Sequence, residues 1–334
     1  MKKHLIMVLI VCVLGSLAFA TGSTEKAKTQ KLVIANAPKC VGIAWWDRMD
    51  YGNKQFAKKT GAEVYQVGNA GVADTAVQVQ TIEDIIASGA DAITVIPSDP
   101  AALEPILAKA RQQGIVVISH EAEGMKNVDY DIEAFVNKEY GAHVMDNLAA
   151  EMGEEGGYAI IMGALTMVSH QQWTEGAIAR QQEKYPKMYL VTDPLEPAGG
   201  GSVEATYLTT KELLSKYPDM KGMIGWDMLN PPGMARAVEE ANKSGKVKVT
   251  GTCLVSVAGD YIKNGTIKTI SFWDPAAAGE AMCVVAEKVV NGLQIVDGMD
   301  LGVEGYSNIH LQGNTIFGSA WVDVTKDNMS GYDF

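Results

Sequence analysis

The chain has 334 residues, of which 20% are charged and 47% are hydrophobic, and its formal net charge at pH 7 is −12. This composition is typical of a globular protein rather than a disordered one, and the length is sufficient for two domains. The excess of acidic residues argues against nucleic-acid binding, because contacts with phosphates need lysine and arginine.

The first 20 residues have the pattern of a secretory signal peptide. Lys2 and Lys3 form a positive segment, residues 5–17 are an apolar run too short for a comfortable membrane span, and Ala18 and Ala20 are the small residues of a cleavage site. The pattern predicts export and cleavage after Ala20. The loss of the two lysines would take the net charge from −12 to −14.

Three cysteines remain after this cleavage, namely Cys40, Cys253 and Cys283. An odd number without close spacing predicts neither a disulfide framework nor a metal site. Buried or free thiols are therefore expected, with a single disulfide bridge left open as the alternative.

The rest of the chain alternates short apolar runs with longer segments of helical periodicity. In the first half, strands are predicted at residues 32–35, 63–67, 92–97 and 115–119, and helices at residues 74–88 and 98–114. Pro38 ends the first strand, because proline has no N–H to donate to the sheet. Asp47 is a candidate cap for a helix that begins near Arg48.

A helix over residues 137–152 precedes a second series of the same kind. Strands are predicted at residues 158–162, 188–192, 222–226, 247–253 and 267–273, and helices at residues 173–184, 204–216, 231–243 and 276–290. Strands separated by helices of ten or more residues indicate parallel sheets with right-handed crossovers. The restart after residue 150 predicts two α/β lobes, each with a doubly wound parallel sheet.

Motifs for cofactor or catalytic chemistry are missing from the sequence. No predicted strand is followed by G-x-G-x-x-G, and neither G-x-x-x-x-G-K-[ST] nor G-x-S-x-G occurs. His120 and Glu121 are adjacent, but neighbouring residues of a strand point to opposite faces of a sheet. The sequence therefore predicts no enzyme, no cofactor and no metal site.

Polar and aromatic residues recur where predicted strands end, which is where ligands bind in open α/β sheets. The candidate ligand-binding residues are Lys39, Trp45, Trp46, Glu121, Ser169, His170, Trp173, Asp227, Pro232, Met234, Trp273 and Asp274. Indole rings can cover the C–H faces of a small polyhydroxylated ligand while Lys39 donates to its oxygens. The alternative is that the tryptophans are core residues, Lys39 is solvated, and Asp227 and Asp274 only cap helices.

Several segments resemble the sugar-type periplasmic substrate-binding proteins of bacterial ABC importers, the ribose-binding-like class. Residues 89–97, read as Gly-Ala-Asp-Ala-Ile-Thr-Val-Ile-Pro, precede a helix, Gly114 and an apolar strand, as in that family. The similarity covers essentially the whole mature chain. Residues 38–42, 172–173, 273–274 and 326–334 are most similar to the branch that contains autoinducer-2-binding (LsrB) and rhamnose-binding proteins.

The resemblance implies the type I periplasmic binding protein fold, two lobes around a ligand cleft. The first lobe would comprise residues 31–134 and 274–300, and the second would comprise residues 135–273 and 301–334, with more than one crossing between them. It also implies a periplasmic, monomeric solute-binding protein. Its partners would be a small sugar-like ligand and the permease of an ABC transporter.

The ligand pattern of autoinducer-2 receptors fits this chain only in part. By that pattern Lys39 and Pro232 match, Glu121 takes the place of an aspartate, Ser169-His170 that of an Asp-Gln pair, and Met234 that of an alanine. Losing acceptors in a buried site leaves ligand hydroxyls unpaired, which is costly. A monosaccharide or deoxysugar is therefore the expected ligand, and an autoinducer-2 receptor is the alternative function.

Two further function classes remain to be weighed. A repressor related to the lactose repressor would need an amino-terminal helix-turn-helix, where this chain has a signal-peptide pattern. An exported enzyme would need a nucleophile–base or metal set, and the sequence contains no such set.

Overall fold

The computed structural model describes residues 31–334, so the signal-peptide prediction for residues 1–20 lies outside the described residues. From its beginning, the described part alternates strands and helices. The first elements are β1 (Val33–Ala37), α1 (Ala44–Thr60), β2 (Glu63–Gln66), α2 (Thr75–Ser88), β3 (Ala92–Val95), α3 (Pro100–Gln112), β4 (Val116–His120) and β5 (Tyr130–Glu133).

The second half repeats the alternation and ends in three short strands. Its elements are α4 (Asn137–Met152), β6 (Glu155–Ile161), α5 (Val168–Lys184), β7 (Lys187–Leu190), α6 (Val203–Lys216), β8 (Gly222–Gly225), α7 (Asn230–Glu240), β9 (Lys248–Gly251), α8 (Val255–Asn264), β10 (Thr269–Phe272), α9 (Pro275–Val290), β11 (His310–Gln312), β12 (Thr315–Phe317) and β13 (Val322–Thr325). A short 3₁₀ turn follows at Met329–Gly331.

Two sheets form the centres of two α/β lobes. The first sheet has the order β11-β12-β5-β4-β3-β1-β2, and every pair in it is parallel except β11 with β12. The second has the parallel order β7-β6-β8-β9. Isolated bridges join β9 to β10, and β13 pairs antiparallel with β10. The predicted fold class, two lobes with parallel sheets, is what the chain adopts.

Local sequence explains where three of the described helices begin. The Asp74, Asp99 and Asp274 side chains accept hydrogen bonds from backbone N–H groups in the first turns of α2, α3 and α9. Helix α1 differs from the prediction. It begins at Ala44 after Ile43, so Asp47 lies in its first turn instead of capping it, and both Trp45 and Trp46 are helical.

Two glycines allow close contact between pairs of helices. A Cβ atom on Gly52 of α1 would lie 1.9 Å from the carbonyl oxygen of Ala276 on α9. A Cβ atom on Gly141 of α4 would lie equally close to the carbonyl oxygen of Trp173 on α5. Only glycine permits these backbones to approach so closely, and the contacts hold α1 against α9 and α4 against α5.

Over residues 31–334 the backbone passes between the two sheets three times, in residues 134–136, 273–274 and 318–321. The last crossing corrects the expectation that residues 301–334 belong to the second lobe. Strands β11 and β12 join the first sheet, where Ile316 is in register with Ile132 of β5, and only β13 returns to the second sheet. The free edge of β5 gives β12 a partner, which satisfies backbone groups that would otherwise remain unpaired.

Within residues 31–334, no helix combines the length and the apolar character that crossing a membrane requires. The same residues contain no cluster of His, Cys, Asp and Glu side chains suited to a metal ion. The three cysteines Cys40, Cys253 and Cys283 are buried free thiols.

Candidate ligand-binding site

A cavity of about 260 Å³ lies between the two lobes, at the carboxyl ends of their strands. Residues that follow β1, β4, β6, β8, β9 and β10 line it, so both sheets contribute. The lining includes Lys39, Cys40, Ile43, Trp45, Trp46, Val72, Glu121, Gly163, Met167, His170, Trp173, Glu196, Gly201, Trp226, Asp227, Met228, Leu229, Thr252 and Trp273.

An ion pair between Lys39 and Glu121 forms the polar floor on the side of the first lobe. The Lys39 Nζ atom lies 2.5 Å from Glu121 Oε2, although the two residues are 82 positions apart. Their side chains are only 8% and 5% exposed. Burial by itself would raise the pKa of Glu121, but the charge and hydrogen bond of Lys39, together with the nearby His120 and His170, lower this pKa below its ordinary value.

The backbone at Glu121 is turned to present its carboxylate to the cavity. Its φ angle is +56°, a left-handed conformation that few residues other than glycine adopt. This turn directly follows β4, whose last residue His120 is fully buried with Nδ1 bonded to the carbonyl oxygen of Ile132. The His120 Nε2 atom lies 3.9 Å from Glu121 Oε1, but His120 itself does not line the cavity.

Helix α5 brings residues of the second lobe against the first. The Ser169 hydroxyl donates to Glu121 Oε2 over 3.3 Å, and the Gln172 amide donates to Glu123 Oε2 over 2.9 Å. Sequence reasoning placed Ser169 and His170 in a loop before a helix that starts at 173, whereas α5 begins at Val168 and both are buried in its first turn. Ser169 thus touches Glu121 and not the cavity itself.

His170 and Asp227 form the polar part of the cavity wall in the second lobe. Burial and the nearby charge of Lys39 lower the pKa of His170 to about 3, so its ring is neutral at physiological pH. The N–H group of Gly163 donates to His170 Nδ1 over 3.1 Å. Burial raises the pKa of Asp227, whose Oδ1 accepts the N–H of Leu229 over 2.9 Å.

Tryptophan rings make up much of the apolar wall. The ring centroids of Trp45 and Trp273 are 4.7 Å apart with the rings nearly perpendicular, and Trp173 lies 5.7 Å from Trp273 and 5.8 Å from Trp226. Each of these indoles is at most 5% exposed, so the rings are core residues and cavity walls at once. The indole N–H of Trp173 is held by Asn137 Oδ1 at 2.7 Å.

Eight of the twelve candidate residues line the cavity, and four do not. Ser169 touches Glu121, as described. Pro232 and Met234 are buried within α7, and Met234 has no exposed surface. Asp274 caps α9 and accepts two hydrogen bonds from Arg48, at 2.9 and 2.7 Å, so the capping alternative describes it.

Sequence reasoning missed several lining residues, among them Cys40, Met167, Glu196, Trp226 and Thr252. Cys40 and Trp226 had an available signal, because each adjoins a candidate residue in the sequence. Met167 and Glu196 lie in segments without a regular element and came with no such signal.

The chain is similar to known proteins over most of its length. A family model described as a periplasmic binding protein domain matches residues 34–294. The D-ribose/D-allose-binding protein of Pseudomonas aeruginosa is 26% identical over 277 residues, which cover 79% of this chain and 84% of the relative.

Solved structures of the same shape include an ABC transporter solute-binding protein from Clostridium phytofermentas with bound L-rhamnose. It has 22% identity and a TM-score of 0.80, and covers 90% of this chain and 98% of its own. LsrB from Clostridium saccharobutylicum in complex with AI-2 has 20% identity and a TM-score of 0.82, over 91% of this chain and 100% of its own. At these identities the likeness shows a common fold.

Proposed function

This chain belongs to the periplasmic binding protein family, and we propose that it captures a small neutral sugar between its lobes and delivers it to the permease of an ABC importer. The observation that carries the proposal is the buried Lys39–Glu121 pair in a cavity walled by tryptophans. Indole rings can pack on the C–H faces of a sugar, and the charged groups of Lys39 and Glu121 can hydrogen-bond to its hydroxyl groups.

The charges of the lining favour a neutral ligand. Among the described lining residues, Lys39 is the only one with a permanent positive charge, and Glu121 neutralises it at 2.5 Å. A phosphate or carboxylate on the ligand would enter without a free cation to compensate its desolvation. This supports monosaccharides and deoxysugars over phosphorylated or acidic sugars.

Autoinducer-2 remains the competing ligand. In the receptor pattern, an acidic side chain stands where this chain has Ser169, and Ser169 here bonds to Glu121 outside the cavity lining. Within the described part of the chain, the acidic side chains left in the lining for ligand hydroxyls are those of Glu121, Glu196 and Asp227. A monosaccharide, including a 6-deoxyhexose, is therefore proposed to bind better than autoinducer-2.

We propose that binding closes the two lobes. The lobes would comprise residues 31–134, 274–300 and 310–317 on one side, and residues 135–273 and 322–325 on the other. Three short crossings, at residues 134–136, 273–274 and 318–321, can act as the hinge. A ligand held by both lobes stabilises the closed arrangement, because it binds that state better.

We also propose that the protein is exported, is a monomer and binds no nucleic acid. Removal of residues 1–20 would release the mature protein outside the cytoplasm. Amino-terminal sequencing of protein from the cell envelope tests this, and recovery of Met1 on a cytoplasmic species would contradict it.

A ligand screen tests the function itself. Residues 21–334 are titrated by calorimetry with rhamnose, ribose, allose, xylose, arabinose and autoinducer-2, after a thermal-shift survey in which a true ligand raises the melting temperature. Tryptophan emission is a second readout, because Trp45, Trp173 and Trp273 line the cavity. A sugar must bind, and Lys39→Ala must weaken it. Tight autoinducer-2 binding without response to any sugar would overturn the ligand class.

A further inference from the structure

The imidazole of His170 has its two nitrogens in different roles. Nδ1 lies 3.1 Å from the backbone nitrogen of Gly163, whose N–H group can only donate. Nδ1 must therefore accept, and in a neutral imidazole the proton is then on Nε2. Among the residues that the structure describes, none accepts a hydrogen bond from this Nε2–H.

The ring cannot readily exchange these roles. It lies in the first turn of α5, with its centroid 5.0 Å from that of Trp173. Trp173 is itself fixed by the hydrogen bond from its indole N–H to Asn137. A change of tautomer would leave the buried N–H of Gly163 facing a second donor, and a flipped ring would leave it facing a C–H group. In both cases the N–H is unsatisfied, which is costly in a buried position.

From this arrangement we propose that His170 selects the ligand as an obligatory hydrogen-bond donor, through Nε2–H, to an oxygen of the bound sugar. The inference rests on the proposed function. The group that meets His170 must accept: a hydroxyl, ring or carbonyl oxygen satisfies it, whereas a protonated amine offers only hydrogens. The site therefore takes neutral oxygen-bearing sugars and rejects amino sugars that place the amine at this position.

Two substitutions separate the nitrogens of the ring. In His170→Asn the amide can still reach the N–H of Gly163, as Nδ1 does, but offers nothing at the position of Nε2. In His170→Gln the longer side chain can place an N–H where Nε2 lies. We expect His170→Gln to bind the sugar identified by the screen at least tenfold more tightly than His170→Asn.

The control is His310→Asn, because His310 is exposed on β11, where its ring bonds to Asp297 and packs on Phe317. It must bind like the parent protein. Thermal unfolding of both His170 variants without ligand must give a single cooperative transition, so that affinity is compared between folded proteins. Equal affinities of the two variants, or tighter binding by His170→Asn, would overturn the inference.

A ligand-free measurement keeps the proposal separate from the proposed function. Long-range ¹H–¹⁵N spectra of the imidazoles, with His170 assigned by its loss in the variants, should show the Nε2–H tautomer unchanged from pH 5 to 8. An Nδ1–H tautomer or a titrating ring would overturn the inference whatever the ligand. If no sugar in the panel binds, the proposed function is wrong, and so is the role of His170 in selecting the ligand. The tautomer of His170 is still decided by the spectra.

Discussion

The side chains of Lys39 and Glu121 form a buried ion pair in the wall of the cavity. Two charges removed from water are expensive, and their mutual attraction compensates only while both are present. Ser169 adds a second donor to the same carboxylate oxygen, at 3.3 Å. Glu121 Oε1, which lies 3.9 Å from His120 Nε2, and the remaining N–H groups of Lys39 are then available to a ligand.

Removing one partner of this ion pair should cost stability as well as binding. Lys39→Ala leaves a buried carboxylate without compensation, and we expect the free energy of unfolding to fall by about 3 kcal/mol. Urea unfolding measures this. The double variant Lys39→Met, Glu121→Met should regain part of the loss while binding no sugar. A Lys39→Ala protein as stable as the parent would show that the pair is not buried in solution.

Gly163 lies against the side chains of both Asp227 and His170. A Cβ atom at this glycine would lie 2.9 Å from Asp227 Oδ2 and 3.0 Å from His170 Cε1, so both side chains would have to shift. We expect Gly163→Ala to weaken sugar affinity about tenfold, since a buried polar contact is worth about 1.4 kcal/mol. Calorimetry checks it. Gly331→Ala, which meets no atom within 4 Å, is the control and must not change affinity.

Strand β5 is the element that leads into the first crossing, and it contains two buried carboxyls. Asp131 and Glu133 alternate along the strand and therefore face the same side. Burial raises the pKa of Asp131 to about 6. Burial, with the charges of Asp131 and Glu121, raises the pKa of Glu133 well above its ordinary value. The Ser119 hydroxyl donates to Asp131, and the N–H of Glu123 donates to Glu133.

These raised pKa values predict how stability depends on pH. Both carboxyls are protonated in folded and unfolded chains below about pH 4, so their contribution is fully present there. This contribution to stability is lost as the pH rises through about 6 and above, because burial opposes ionisation of the two carboxyls in the folded state. We expect Glu133→Gln to reduce this loss by about 1 to 3 kcal/mol between pH 4 and 8.

Denaturant unfolding of the parent, Glu133→Gln and Glu83→Gln at several pH values checks the β5 prediction. Glu83 is exposed and pairs with Lys109 at the surface, so its variant should follow the parent curve. Parallel curves for the parent and Glu133→Gln would mean that Glu133 does not titrate abnormally.

At the scale of the whole molecule, α5 bonds to the first lobe through two residues. Ser169 contacts Glu121 inside, and Gln172 donates to Glu123 while accepting from Asn137 at 2.8 Å. These bonds exist only when the lobes are together. They favour the closed arrangement independently of ligand, so a ligand has less closure to drive.

Breaking the hydrogen bond between Gln172 and Glu123 should therefore shift the two lobes towards an open arrangement. We expect Gln172→Ala to increase the radius of gyration without ligand and to weaken sugar binding about threefold, since one such hydrogen bond contributes about 0.7 kcal/mol. Small-angle scattering and calorimetry measure the two effects. Gln171→Ala is the matched control, because Gln171 bonds to Leu165 within the same lobe. Equal scattering for parent and Gln172→Ala would contradict the role of this bond in closure.

The sequence by itself determined the alternating α/β pattern, most helix starts, and the strand-end positions of Lys39, Glu121, Asp227 and Trp273. These follow from local rules of periodicity, capping and proline chemistry, which act over a few residues. The candidate residues share one edge of their sheets because the carboxyl ends of parallel strands meet there.

Only the tertiary structure decided what depends on distant pairing. Strand β12 joins the first sheet by pairing with β5, although Thr315 and Asp131 are 184 positions apart, so no local pattern assigns β11 and β12 to that lobe. The early start of α5 turned Ser169 from the cavity toward Glu121. The N–H of Gly163 fixed the proton of His170, because a side chain's hydrogen-bonding role depends on which backbone group the fold brings against it.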